Sequence, residues 1–303
     1  MILATGLSYS YIQYSRFILS RTLGISTEKQ ITIGFERAEN ITYDMLILGS
    51  SLLYRGINPD MFTYPTAYNF AHDNDSYNQF YYKFERIVSE NDNVKYLLLG
   101  VDYFNFSRLT STRNHIYKGI LNPDYLKDYE EHAGLGRLFN EFLEVHFSNT
   151  FMHIFRRSKQ YFRGDVKETR LLKENGQYVI PLQFARENQR MVQARSYAPL
   201  DIQVRYFVKI IEAAGEKNIP VFLVFPPVRD YILEYPDLRD RQILDSLWAQ
   251  MALKPHVYLL DYSTDDRFEL SDFHDYIHLN TLGADKFSEI LGKDLYELCQ
   301  IRY

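Results

Sequence analysis

The chain of 303 residues has almost no sulfur chemistry available to it, with one cysteine, Cys299. A lone cysteine forms no intramolecular disulfide and cannot build a zinc–thiolate cage. Long apolar runs are missing too: no stretch approaches the roughly 18–20 apolar residues of a membrane helix. Met1 to Ile12 is mildly apolar but short, lacks a basic start and carries no clear cleavage site. The chain as it stands reads as soluble, and a chain cut just after an anchor would read the same. An excess of positive charge is also lacking. Lys and Arg number 34 against 39 Asp and Glu, a net charge of −5, which argues against nucleic acid as a partner because such binding is mostly phosphate neutralisation. There is no glycine-rich phosphate fingerprint, no internal repeat and no low-complexity tract.

What is abundant is aromatic. There are 26 Tyr and 21 Phe against one Trp. This is either compositional bias or a supply of stacking platforms for sugar rings, and composition alone does not separate the two.

Five short apolar runs read as strands: Asp44–Leu48, Ala67–Phe70, Tyr96–Leu99, Val221–Phe225 and Val257–Leu260. Unbroken runs of this length suit strands of a parallel sheet buried on both faces. Helical patterns lie among them at Tyr77–Ser89, Ile202–Ala214 (stopping at Gly215), Asp240–Met251 and Gly283–Leu298, with a further short one at Tyr11–Arg21. Alternating strands and helices predict a parallel sheet with right-handed crossovers. Residues 105–198 break the rhythm with helical patches at Pro123–Glu131, Leu135–Phe147 and Thr150–Phe162, and a hairpin at Leu172–Ile180 turning at Asn175-Gly176. The expected organisation is an N-terminal helical segment (1–40), an α/β core (41–108 and 200–303) and a helix-rich insertion (109–199) at the site entrance. The expected fold is a flavodoxin-like three-layer α/β/α sandwich.

Two places carry candidate chemistry. Gly49-Ser50-Ser51-Leu52 follows the first strand. A tight strand-to-helix turn exposes a serine and leaves first-turn N–H groups available, although the same residues suit a plain helix cap or an anion-binding turn. Near the other end lies Asp275-Tyr276-Ile277-His278. His278 is a natural general base, and Asp275 can fold back to hold its tautomer. The alternative is a capping aspartate beside a surface histidine. A metal pair of His274 and His278 lacks a third strong ligand, so no metal is expected.

Together the two features resemble the SGNH (GDSL-type) hydrolases. The family's Gly-Asp-Ser-Leu falls on Gly49-Ser50-Ser51-Leu52, and its Asp-x-x-His on Asp275 to His278. The resemblance implies a nucleophile at Ser51, with Ser50 as the fallback, and a triad completed by His278 and Asp275. Its second block falls on Tyr68 to Ser76, with Asn74 where the family has an oxyanion-hole glycine. Its third falls on Gly100-Val101-Asp102-Tyr103, with Asp102 in place of an asparagine donor. A carboxylate donates nothing and repels an oxyanion, so Asp102 is protonated, has another role, or is replaced by Asn105 or another donor.

The blocks around Ile47–Ser51, Arg55-Gly56, Leu99–Tyr103, Asn218–Val221, Pro226-Pro227, His278–Asn280, Gly283-Ala284 and Phe287-Ser288 are similar to a branch serving bacterial surface-polysaccharide modification. That branch implies a carbohydrate or glycopolymer substrate, a membrane-bound acyl-transfer partner, an extracytoplasmic place in the cell envelope, and no cofactor. Arg55, one helical turn past Ser51, would hold an anionic substrate group or pair with Asp60. Asn280 and Asp261 would support the site or form turns. Arg156, Arg157, Lys159 and Arg163 form a basic patch, either a solvated face or a contact for an anionic polymer.

Overall fold

The computed structural model describes residues 10, 11, 13, 14, 17, 27–107, 117, 120–122, 124, 125, 127, 128, 155, 158, 159, 162, 163, 171–180, 182–187, 197–234 and 236–300. The sheet has five parallel strands: β1 (Met45–Leu48), β2 (Ala67–Asn69), β3 (Tyr96–Gly100), β6 (Val221–Phe225) and β7 (Val257–Asp261). Their spatial order is β2-β1-β3-β6-β7. That is the doubly wound order of flavodoxin-like folds, in which ligands bind at the carboxyl ends of the strands where the winding reverses. The reversal lies between β1 and β3, with Leu48 beside Leu99.

Strand residues alternate between the two faces. Leu46 and Leu48 of β1, with Leu97 and Leu99 of β3, enter one apolar cluster with α1 (Thr27–Asn40), α3 (Tyr77–Glu90), α5 (Asp201–Glu216) and α6 (Leu238–Ala252). Met45 and Ile47, with Tyr96 and Leu98, enter the other with α2 (Ser51–Gly56) and α7 (Thr281–Gln300). Two helical layers thus sandwich the sheet, giving the three-layer fold. A short α4 (Tyr103–Phe106) follows β3 directly.

Three features depart from the sequence-based expectation. Strand β7 is an edge strand whose side chains are only in part covered, rather than buried on both faces. Helix α5 runs through Gly215 to Glu216, and Asn218 takes the left-handed backbone at φ 57° that ends it. Gly215 serves packing instead, because a Cβ there would lie 2.7 Å from His256 Nε2. Helix α1 carries no strong signal: Ile31, Phe35 and Ala38 are buried, but the apolar stripe is thin and Gly34 sits within it.

The hairpin of β4 (Leu171–Leu172) and β5 (Tyr178–Val179) forms where Asn175-Gly176 predicted it. Gly176 has φ +88°, and a Cβ on it would lie 2.1 Å from the Asn69 carbonyl oxygen, so both backbone and space demand glycine. Asn69 N–H donates to Asn175 O at 2.9 Å, tying the hairpin to β2. Of the helical patches expected between 109 and 170, Asp124, Tyr125, Lys127, Asp128, Phe155, Ser158, Lys159 and Phe162 are described and helical; the rest, with Arg156 and Arg157, lie outside the described residues, as does most of Tyr11–Arg21. Among the described residues no helix is long and apolar enough to cross a membrane.

Candidate active site

Ser51 is the first residue of α2 and Ser50 is its cap, accepting from the Leu52 N–H. The turn is tight because Leu53 packs back beneath it. A Cβ on Gly49 would lie 2.8 Å from Leu53 Cδ1, and one on Gly100 2.7 Å from the same atom. Asn69 fixes the far end of α2, its side-chain amide donating to the carbonyls of Leu53 (2.8 Å) and Ile57 (3.0 Å).

The second component comes from the loop before α7. Asp275 Oδ1 accepts from the backbone N–H groups of Ile277 and His278, both at 2.9 Å. This turn folds the carboxylate back onto its own histidine, with His278 Nδ1 2.9 Å from Asp275 Oδ2. Burial pushes the Asp275 carboxyl up, but the His278 ring, its charge and the two N–H groups together outweigh that and hold it well below the usual range. Asn280 anchors the loop from behind. Its amide donates to Ser271 O (2.6 Å), its Oδ1 accepts from Gly283 N (3.0 Å), and it is 1 % exposed.

The two components meet. His278 Nε2 lies 2.8 Å from Ser51 Oγ, although 227 residues separate them in the chain. Because Nδ1 faces a carboxylate, the ring proton belongs on Nδ1 and Nε2 is left to accept from the serine hydroxyl. A serine aligned on an imidazole, itself aligned on a carboxylate, can transfer acyl groups.

Ser51 and His278 line a cleft of about 110 Å³ together with Ser50, Leu52, Asn74, Asp102, Phe104, Asn105, Tyr276 and Ile277. Asn74 adopts φ 60°, the left-handed backbone that asparagine tolerates better than most residues. Asp102 is 3 % exposed and both its oxygens are engaged. Oδ1 accepts from Asn105 N–H at 2.8 Å, capping α4, and Oδ2 accepts from Ser50 Oγ at 3.3 Å. Burial first, and then the Asp102 charge, push the Tyr77 hydroxyl's pKa well above its ordinary value, and that hydroxyl donates to Gly100 O.

Arg55 pairs with Asp73 Oδ2 at 2.7 Å rather than with Asp60. Asp60 faces Lys173 at 3.9 Å instead. Arg55 reaches from α2 to the loop after β2, which carries Asp73. Arg55 Nη1 also stands 3.5 Å from His278 Nδ1, a donor facing a donor once Nδ1 holds its proton. Asp73 and Gln177, whose Nε2 donates to Arg55 O at 3.4 Å, were not singled out from the sequence: Asp73 falls in the Tyr68–Ser76 block and Gln177 in the expected hairpin, but neither position signals a contact with Arg55. Asp261 caps its own turn, accepting from Ser263 N at 2.9 Å. Among the described residues no three His, Cys, Asp or Glu side chains are grouped to hold a metal.

No protein-family model and no curated protein matches the sequence. Solved structures similar to it include two of bacterial origin. One is a Streptococcus pneumonia protein provisionally described as a platelet activating factor, at 11% identity over 96% of this chain and 99% of that one, with a TM-score of 0.46. The other is a Bacteroides fragilis protein provisionally described as an acylhydrolase, at 12% identity over 90% of this chain and 98% of that one, with a TM-score of 0.43.

Proposed function

We propose that the protein is a serine esterase or O-acyltransferase. The observation that carries this reading is the hydrogen-bonded run from Ser51 Oγ through His278 to Asp275. Ser51 Oγ attacks an acyl carbonyl while its proton passes to His278 Nε2. The tetrahedral oxyanion rests on the backbone N–H groups of Ser51 and Asn74. Collapse expels the alcohol, which takes the proton from His278 and leaves an acyl-Ser51. His278 then takes a proton from water or a sugar hydroxyl, which attacks the acyl group and regenerates the serine. Asp275 holds the tautomer and offsets the charge on the imidazolium.

The substrate class follows from the motif resemblance. We infer an acyl ester on a bacterial cell-surface polysaccharide, handled outside the cytoplasmic membrane with a membrane-bound acyl-transfer partner. Arg55 is committed to Asp73 rather than held as a free anion receptor. The test is labelling by a fluorophosphonate and turnover of acetyl esters. Wild type and Ser50→Ala are expected to react, and Ser51→Ala to be inert. Equal inertness of wild type and Ser51→Ala sinks the acyl chemistry.

A second reading rests on Asp102, a carboxylate in the cleft where an oxyanion needs donors. It casts the domain as a glycan or partner-protein binder with weakened catalysis. Glycan binding that is unchanged in Ser51→Ala, with no turnover of any ester, favours it.

A further inference from the structure

The cleft holds a donor that the triad does not use. Asn105 lines it beside Ser51, Asn74 and His278. The residue is 2 % exposed, and its Nδ2 is buried without a hydrogen-bond partner. Buried amide donors are almost always paired, so one without a partner calls for an explanation, and a catalytic role is among those available to a group that lines the cleft. Its position is fixed by Asp102, whose Oδ1 takes the Asn105 backbone N–H at 2.8 Å. The carboxylate that cannot donate therefore holds in place the residue that can.

We propose that the Asn105 side-chain amide is the third oxyanion donor, taking over from Asp102 the work of stabilising the tetrahedral intermediate. This rests on the acyl-transfer reading of Ser51. The amide terminus turns about χ2 to present Nδ2 to the carbonyl oxygen as negative charge gathers there, a bond made in the transition state rather than with the resting protein. Asp102 keeps α4 capped and takes up the Ser50 hydroxyl, so that its own oxygens face donors instead of the forming anion.

The experiment compares wild type, Asn105→Ala and Asn105→Asp on an acyl ester and on its thionoester, in which sulfur, a poor acceptor, replaces the carbonyl oxygen. Loss of one such donor lowers kcat by about 10²–10³-fold, so Asn105→Ala is expected to lose that much with KM nearly unchanged. Asn105→Asp, close in shape but not a donor when ionised, is expected to fall at least as far. The preference for ester over thionoester is expected to shrink in both variants, a readout that general misfolding does not move. The thermal midpoint of Asn105→Ala is expected to hold or rise, because an orphaned polar group has been removed. Wild-type turnover in Asn105→Ala, or an unchanged ester-to-thionoester ratio in a folded variant, overturns the assignment. If wild type itself turns over neither substrate, the acyl-transfer reading has failed and this one with it.

Discussion

Replacing Asp275 by Asn tests the tautomer argument at one atom. Asp275 has two separable jobs: Oδ1 holds the turn through two backbone N–H groups at 2.9 Å, and Oδ2 receives His278 Nδ1–H at 2.9 Å. An asparagine can keep its oxygen on the turn, so the loop survives. Its NH₂ then faces Nδ1, which must become an acceptor, and Arg55 Nη1 at 3.5 Å is a second donor favouring the same state. The ring proton moves to Nε2, which now points a hydrogen at Ser51 Oγ and can no longer take one from it. In a serine protease the same change costs about 10⁴ in kcat, or about 5 kcal/mol of barrier at 1.36 kcal/mol per tenfold. Turnover of an acyl ester and the rate of fluorophosphonate labelling are both expected to fall by that order, with the far-ultraviolet dichroism unchanged. A folded Asp275→Asn within about tenfold of wild type refutes the assignment of Nδ1 as donor and Nε2 as base.

The same carboxyl makes a stability prediction. Its folded-state pKa is depressed, so the unfolded chain binds the proton more tightly. The stability that Asp275 contributes is thus present above the ordinary carboxylate value, about pH 4, and is lost as pH falls toward the depressed one. The gap in urea midpoint between wild type and Asp275→Asn should be widest near neutrality and narrow below about pH 4; a gap independent of pH contradicts this. Lys83 and Asp75 are wholly buried, 2.6 Å apart, with Tyr117 on the same carboxylate. Lys83→Met strands that charge and should cost about 3–5 kcal/mol in chemical denaturation, partly regained with Asp75→Asn in the same chain. Gly176→Ala should lower the thermal midpoint clearly, since it adds left-handed strain of about 1–2 kcal/mol to a clash with the Asn69 carbonyl. Asp102→Asn keeps an acceptor for the Asn105 N–H and adds a donor to the cleft, so its kcat should equal or exceed wild type; a large fall would show that the charge itself is used.

Much of the fold was legible because the buried strands write themselves as apolar runs. Val221–Phe225 was bounded to the residue, and the other core strands to within one or two. The signal fails where tertiary contacts replace composition. Strand β7 sits at an edge, yet its run reads like a central one. Gly215 resembles a helix stop until His256 is seen lying against it. Helix α1 is held by three buried side chains and by the ring of Phe70, whose Cε2 would lie 2.5 Å from a Cβ on Gly34. A glycine kept for close packing has the same letter as one kept to break a helix.

The site divides along the same line. Ser51, Asp275 and His278 lie in short local motifs, and the sequence order of strand, turn and terminal helix suffices to bring them together at the carboxyl edge of β1. The contacts that tune them cannot be read from the motifs. Arg55 meets Asp73, in the loop after β2, and not Asp60, a fact of packing with no sequence period. Asp102 is the instructive case. As a letter it reads as a lost donor, since the resemblance supplies an expectation for that position alone. As a structure it is an acceptor with two donors, one of them the backbone of Asn105. A carboxylate so occupied creates less repulsion in the cleft than its charge suggests, and it fixes an amide three residues on whose own hydrogen bond is unmade. The loss at one position and the unsatisfied group at the other are thus explained together, if the missing partner of the amide is an oxygen that becomes charged only during reaction.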